Sequence, residues 1–230
     1  MEIYQQLWNE ALPALENGRP QLDKNLLNKS QDRRRGVSLA IRPSPAILEK
    51  LNAFVRPLMT MVPGQYFYQP EELHVTFLTI ISGSEFWRKE IRRLAVCRAL
   101  IQEILSRHKT FKIRFQGVTA SPGAIMIQGF PDDGLEKIRS ELRVAFTENG
   151  LEDLLDRRYK INSAHITVAR FCQPEADWNR LTDFLKANRQ TDFGEMNVET
   201  IQLVWGDWYA SANTIRTLQQ YHLRPLQNTL

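Results

Sequence analysis

The chain has 230 residues, 43% hydrophobic and 24% charged, with 30 Lys and Arg against 26 Asp and Glu for a net charge of +4. This suits one large globular domain or two small lobes with adequate cores, and no apolar run reaches the roughly 20 residues of a membrane span. The two cysteines show neither metal-ligand spacing nor a disulfide framework, and the slight positive balance permits an anionic partner without naming one.

Met1-Glu2-Ile3-Tyr4 lacks the basic-then-apolar pattern of a signal peptide, so a cytoplasmic, membrane-free monomer with reduced Cys97 and Cys172 is expected. Residues 1–36 read as an N-terminal helical extension and basic linker. Ile3, Tyr4, Leu7, Trp8, Ala11 and Leu15 recur at helical spacing, with an interruption expected near Pro13. The Arg33-Arg34-Arg35 run that closes the segment reads as a solvated linker in preference to a phosphate grip.

From Val37 the elements begin to echo one another. Residues 37–41 predict a strand, and 44–58 a helix with Ile47, Leu48, Leu51, Phe54 and Val55 on its apolar face. Pro63-Gly64 marks a turn before a strand carrying Leu73 to Leu78. One long helix is expected over 85–107, where Cys97 shares a face with Leu94, Ile101 and Ile104, and 111–115 alternates as a half-buried strand. A strand at 124–127 and a helix from Pro131 to a stop at Asn149-Gly150 follow. Next come a strand through residues 165–168, a helix over about 174–187 and a strand at 198–205. Residues 214–223 read as a closing strand, with a short helix as the alternative. Val37 precedes His74 by 37 residues and Ala124 precedes His165 by 41. Two lobes of β-α-β-α-β order, 37–119 and 124–206, are therefore expected within a domain spanning 37–223, with 224–230 as a tail.

The chemistry concentrates in two short stretches. Leu73-His74-Val75-Thr76-Phe77-Leu78 and Ser163-Ala164-His165-Ile166-Thr167-Val168-Ala169-Arg170-Phe171 each place a histidine two residues before a threonine in an apolar run. Residues i and i+2 of a strand share a face, so His74 projects with Thr76 and His165 with Thr167. Only four histidines are present, and two of them occupy this one pattern, 91 residues apart. An imidazole can take or give a proton near neutrality, and a neighbouring hydroxyl can hold an anionic oxygen. Two such couples around a tetrahedral phosphate would supply a base, an acid and two oxygen contacts without a metal.

A lone His-x-Thr in an apolar strand is ordinarily a core or edge feature; the matched pair carries the weight. With these motifs the chain resembles the 2H phosphoesterase superfamily, which includes LigT-like 2′-5′ RNA ligases and 2′,3′-cyclic phosphodiesterases. His165-Ile166-Thr167-Val168-Ala169-Arg170 is similar to the LigT-like form of the second motif. The resemblance implies an α+β fold: a two-lobed, duplicated β-α-β-α-β arrangement with antiparallel sheets facing across a central cleft. It implies a metal-independent phosphodiesterase with His74, His165, Thr76 and Thr167 as catalytic residues and no cofactor. The expected partner is RNA or a nucleotide bearing a cyclic or 2′-5′ phosphate. A binding protein that holds the nucleotide uncleaved, and RNA end-joining, are the competing readings.

Arg170 is a substrate-contacting candidate from the same resemblance. Three residues after Thr167, it faces away on an ideal strand and reaches the phosphate only where the strand bends; a surface salt bridge is the alternative. Tyr68 and Phe67, ahead of the first motif, can stack a base or pack in the core, and Tyr159 and Lys160 stand at the corresponding place ahead of the second. Trp87, Trp205 and Trp208 read as packing. Cys172 lies close after the second motif without an assigned task, and His108 and His222 lack a partnered threonine.

Overall fold

Local signals set the helix boundaries. In the computed structural model, which describes residues 2–155, 163–175 and 177–225, α1 spans Glu2–Glu16 and α2 spans Pro45–Met61, the latter opening on a proline whose missing donor costs nothing in a first turn. Asp132 caps α5 (Asp133–Glu148) through the Gly134 amide, and Asp177 caps α6 (Trp178–Ala187) through the Arg180 amide. The other α-helices among the described residues are α3 (Trp87–Glu90) and α4 (Leu94–Leu105), and Lys24–Gln31 is a 3₁₀ segment. No helix among the described residues is long and apolar enough to cross a membrane.

The strands are β1 (Arg35–Ile41), β2 (Tyr66–Phe67), β3 (Val75–Ser84), β4 (Phe111–Ser121) and β5 (Ala124–Pro131), followed by β6 (Ile166–Arg170), β7 (Asp192–Val198), β8 (Thr200–Asp207) and β9 (Arg216–His222). They form one antiparallel sheet in the order β7-β4-β5-β6-β3-β1-β8-β9, with β2 added beside β6. The expected α+β class with antiparallel halves about a central cleft holds. The halves are joined into one sheet through Val75↔Ile166, the register pair between β3 and β6. Beyond that pair β2 takes over, Tyr66↔Arg170 and Phe67↔Ala169.

The sheet halves cut across the lobes expected from the sequence. β4, assigned with 37–119, pairs with β5 and β7, while β8, assigned with 124–206, pairs with β1 and β9. The physical reason is the tight connection at Pro122-Gly123, which makes β4 and β5 a hairpin and so binds them to the same half.

The N-terminal segment is part of the core. Tyr4, Trp8, Ala11 and Leu15 are buried on one face of α1, which packs against β4 and α6. That face carries the helix straight through Pro13, since burial worth roughly 1.5–3 kcal/mol per large side chain offsets a helix bond lost to proline. The expected long helix over 85–107 is instead split by a 3₁₀ turn at Ile91–Arg93. Residues 87–93 bury no side chain, and the anchoring stripe starts only at Cys97, continuing through Ile101, Ile104 and Leu105. The closing segment expected over 214–223 is a strand, β9, not a helix. Tyr159, Lys160 and residues 226–230 lie outside the described residues.

Candidate active site

Each motif histidine stands one residue ahead of its strand, His74 before β3 and His165 before β6. Because Val75 opposes Ile166 in antiparallel register, His74 lies beside Thr167 and Thr76 beside His165. The couples therefore interlock across the seam, each histidine opposed in register to the other motif's threonine. In regular antiparallel geometry the two histidines are diagonal neighbours, about 7–8 Å apart. Val75 and Ile166 point the other way and are 0% exposed. All four polar side chains line one cavity of about 620 Å³.

The rings are oriented from behind. His74 Nδ1 lies 2.6 Å from the Glu72 carbonyl, and His165 Nδ1 lies 2.8 Å from Ser163 Oγ, in both cases two residues upstream. A carbonyl can only accept, so His74 carries its proton on Nδ1 and keeps a lone pair on Nε2. The Ser163 hydroxyl can accept or donate, so it suits either tautomer of His165. Glu72 is itself pinned: one carboxylate oxygen accepts from the Tyr66 hydroxyl at 2.7 Å and the Gln69 amide at 2.9 Å, the other from the Ala212 amide at 2.9 Å.

Burial pulls both imidazoles down to about 4. The cations Arg42 and Arg170 add to the effect at His74, while Arg170, His74 and Arg139 add to it at His165. Both rings are neutral at pH 7 while the cavity holds no anion. A bound phosphate would oppose these cations and raise the ring pKa values.

Arg170 also lines the cavity, and the ladder explains how. Between β5 and β6 the pairing passes from Met126↔Thr167 to Ile125↔Ala169, leaving Val168 as an extra residue on β6. This bulge resets the alternation: Val168 and Ala169 are both buried, and Arg170 returns to the face of Thr167. Its Nε donates to the Tyr68 hydroxyl at 2.9 Å. Tyr68 is 7% exposed and meets Tyr66 edge-on, so it buttresses Arg170 at the cavity wall. Phe67 is core.

The first half carries the same device. β1 and β3 pass from Leu39↔Leu78 to Ala40↔Thr76, so Phe77 is the extra residue and Thr79 returns to the cavity face. Thr79 escaped the sequence reading, although its spacing from Thr76 equals that of Arg170 from Thr167. Trp208, expected to pack, lines the cavity as well. It sits so close to Gly83 that a Cβ there would come within 2.7 Å of its Cε3. Arg34, expected in a solvated linker, is paired with Asp32 at 2.6 Å, donates to the Tyr209 hydroxyl at 3.2 Å and lies 5.2 Å from the Trp208 ring centre. From α1, Ile3 and Leu7 add an apolar wall.

The remaining candidates are elsewhere. His108 pairs with Glu141 at 2.7 Å, and His222 lies 3.3 Å from the Thr200 hydroxyl. Cys97 is buried, and Cys172 donates to the Gly64 carbonyl at 3.3 Å. Among the described residues no three His, Cys, Asp or Glu side chains gather as metal ligands.

Residues 37–207 match a sequence family described as the AKAP7 2'5' RNA ligase-like domain. Comparison with curated proteins found no match. Among solved structures, TT0787 of Thermus thermophilus is 20% identical with a TM-score of 0.62, covering 83% of this chain and 98% of its own. LigT of E. coli, crystallised with 3'-AMP, is 14% identical at a TM-score of 0.54 with the same coverage. A protein described as a phosphoesterase is 13% identical at 0.56, covering 83% and 99%. These likenesses establish the fold.

Proposed function

This chain belongs to the AKAP7 2'5' RNA ligase-like domain family, and from that premise we propose that it is a metal-independent phosphoesterase. Its substrate is a cyclic phosphate or a 2′-5′ phosphodiester of RNA or a nucleotide. The carrying observation is the seam itself: two imidazoles, each engaged at Nδ1, and two threonine hydroxyls line one cavity. The nucleotide bound by E. coli LigT, which shares the fold, supports a nucleotide as the occupant.

In this reading His74 is the base. Its Nε2 lone pair takes the proton of the attacking hydroxyl or water as the new P–O bond forms. His165 is the acid: the bound phosphate offsets the cavity's cations so that the ring is charged, and it gives a proton from Nε2 to the oxygen whose bond to phosphorus breaks, returning to the neutral imidazole. The enzyme ends with one proton gained and one lost, and exchange with solvent resets it. Ser163 serves this role because its hydroxyl can donate to Nδ1 in one state and accept in the other. Thr76, Thr167 and Arg170 hold the non-bridging oxygens and counter charge in the transition state.

The test is a panel of 2′,3′-cyclic nucleotides and of 2′-5′ and 3′-5′ dinucleotides incubated with EDTA. Turnover of a cyclic or 2′-5′ substrate, lost on His74→Ala or His165→Ala, is expected. Full activity in either variant overturns the mechanism. Tight binding without turnover points to a nucleotide-binding protein, and joining of cyclic-phosphate and 5′-hydroxyl RNA ends to a ligase.

A further inference from the structure

The seam between the two motifs is thin: β3 and β6 are in register at Val75↔Ile166, and β2 replaces β3 beyond it. Ladder bonds alone hold the separation of His74 and His165 weakly. A second tie comes from α5. Arg139 is 1% exposed, and its Nε donates to the Phe77 carbonyl at 2.7 Å. Its Nη2 donates to the Thr76 carbonyl at 3.0 Å and the Ser163 carbonyl at 2.9 Å. One rigid, planar group thus grips backbone on both sides of the seam, at positions two residues from each histidine.

The chemistry is expensive for a purely structural role. The paired carboxylate, Glu136, is 3.7 Å away and 48% exposed, so carbonyl dipoles supply most of the compensation for a buried cation. An apolar side chain of similar volume would fill the space without that desolvation. What it could not do is bond three carbonyls at once. Two of these, Thr76 and Phe77, lie at the bulge that brings Thr79 to the cavity. The third belongs to the segment that Tyr4 Oη also holds, accepting from the Ala164 amide at 3.1 Å.

We propose that Arg139 is a positioning residue that keeps the two histidine-threonine couples at their working separation. The proposal rests on the two-histidine reading above. Arg139→Lys retains the charge but has one nitrogen on a flexible stem, so it gives up the Nε bond to the Phe77 carbonyl and the planar group that holds Nη2 between the Thr76 and Ser163 carbonyls; Arg139→Met removes every donor. If the methionine variant does not fold, the lysine variant carries the test. Each is expected to lower kcat about 100-fold, the loss a misplacement of about 1 Å brings, with KM little changed. In a His165→Ala background the same Arg139→Lys change is expected to cost nothing further, because no pair remains to be positioned. Equal losses in both backgrounds, the mark of a merely destabilised fold, overturn the proposal. NMR titration of the imidazoles reads the same geometry without turnover. His74 is one of the charges that depress His165, so His74→Ala raises the His165 pKa, and Arg139→Lys is expected to reduce that increment by at least half. An undiminished increment overturns the positioning role even if no phosphoester is cleaved. A diminished increment without any turnover supports Arg139 and counts against the phosphoesterase reading alone.

Discussion

Replacing both motif histidines with glutamine is expected to make the fold less sensitive to acid. The rings titrate near 6.5 in an unfolded chain and are pulled down to about 4 in the fold by burial and neighbouring cations. Between those values the unfolded chain binds more protons than the native one, so stability rises with pH across the window. The contribution is fully present above about pH 6.5 and is lost progressively as pH falls toward 4. At pH 5 the gap to the unfolded value is about 1.5 pKa units, which at 1.36 kcal/mol per unit is about 2 kcal/mol for each ring. Cavity water makes this an upper figure, so the pair accounts for about 2–4 kcal/mol. Urea unfolding at pH 8 and pH 5 measures it for the unchanged chain and for the His74→Gln/His165→Gln double variant. The double variant should lose about 2–4 kcal/mol less on acidification, since every other titrating group, His108 beside Glu141 included, is common to both proteins and cancels. Identical losses would refute the claim that these rings are held neutral. Inorganic phosphate at pH 5 should return part of the stability to the unchanged chain and little to the variant.

Other perturbations probe the cavity piece by piece. Thr76→Ala and Thr167→Ala should each lower kcat on the order of 100-fold, as removal of one oxyanion donor does, with melting temperatures close to the parent. Tyr68→Phe deletes the hydroxyl that accepts from Arg170 Nε; kcat/KM for an anionic substrate should fall, and an unchanged kcat/KM would mean that this bond does not position Arg170 on the substrate. Gly83→Ala forces a methyl to within 2.7 Å of Trp208 Cε3, so the indole must shift, and tryptophan fluorescence together with nucleotide KM should both change.

The motif faces were legible because a strand has a period of two: His74 with Thr76 and His165 with Thr167 follow from spacing alone. Arg170 was not, because its orientation depends on Val168 being an extra residue opposite β5, and a bulge leaves no mark in a run such as Ile-Thr-Val-Ala-Arg. Thr79 was hidden by the matching bulge at Phe77. β7 was missed because Asp192–Val198, with an exposed aspartate, glutamate and asparagine and a left-handed Gly194, has the composition of a loop; its pairing with β4 makes it a strand. Arg34 and Trp208 were read as linker and packing because the contacts that bring Arg34 to Trp208 and Tyr209 join segments more than 170 residues apart.

The amino-acid sequence by itself determined which residues can do chemistry here and that they come as two like couples, since alternation and residue type are local properties. Only the tertiary structure decided that the couples interlock across one seam, which strands belong to which half, and that a buried arginine on α5 bonds to the backbone of both. Those outcomes depend on register between segments about 90 residues apart along the chain. Register is set by packing, hairpin closure and bulges acting together, and no window of sequence contains all three.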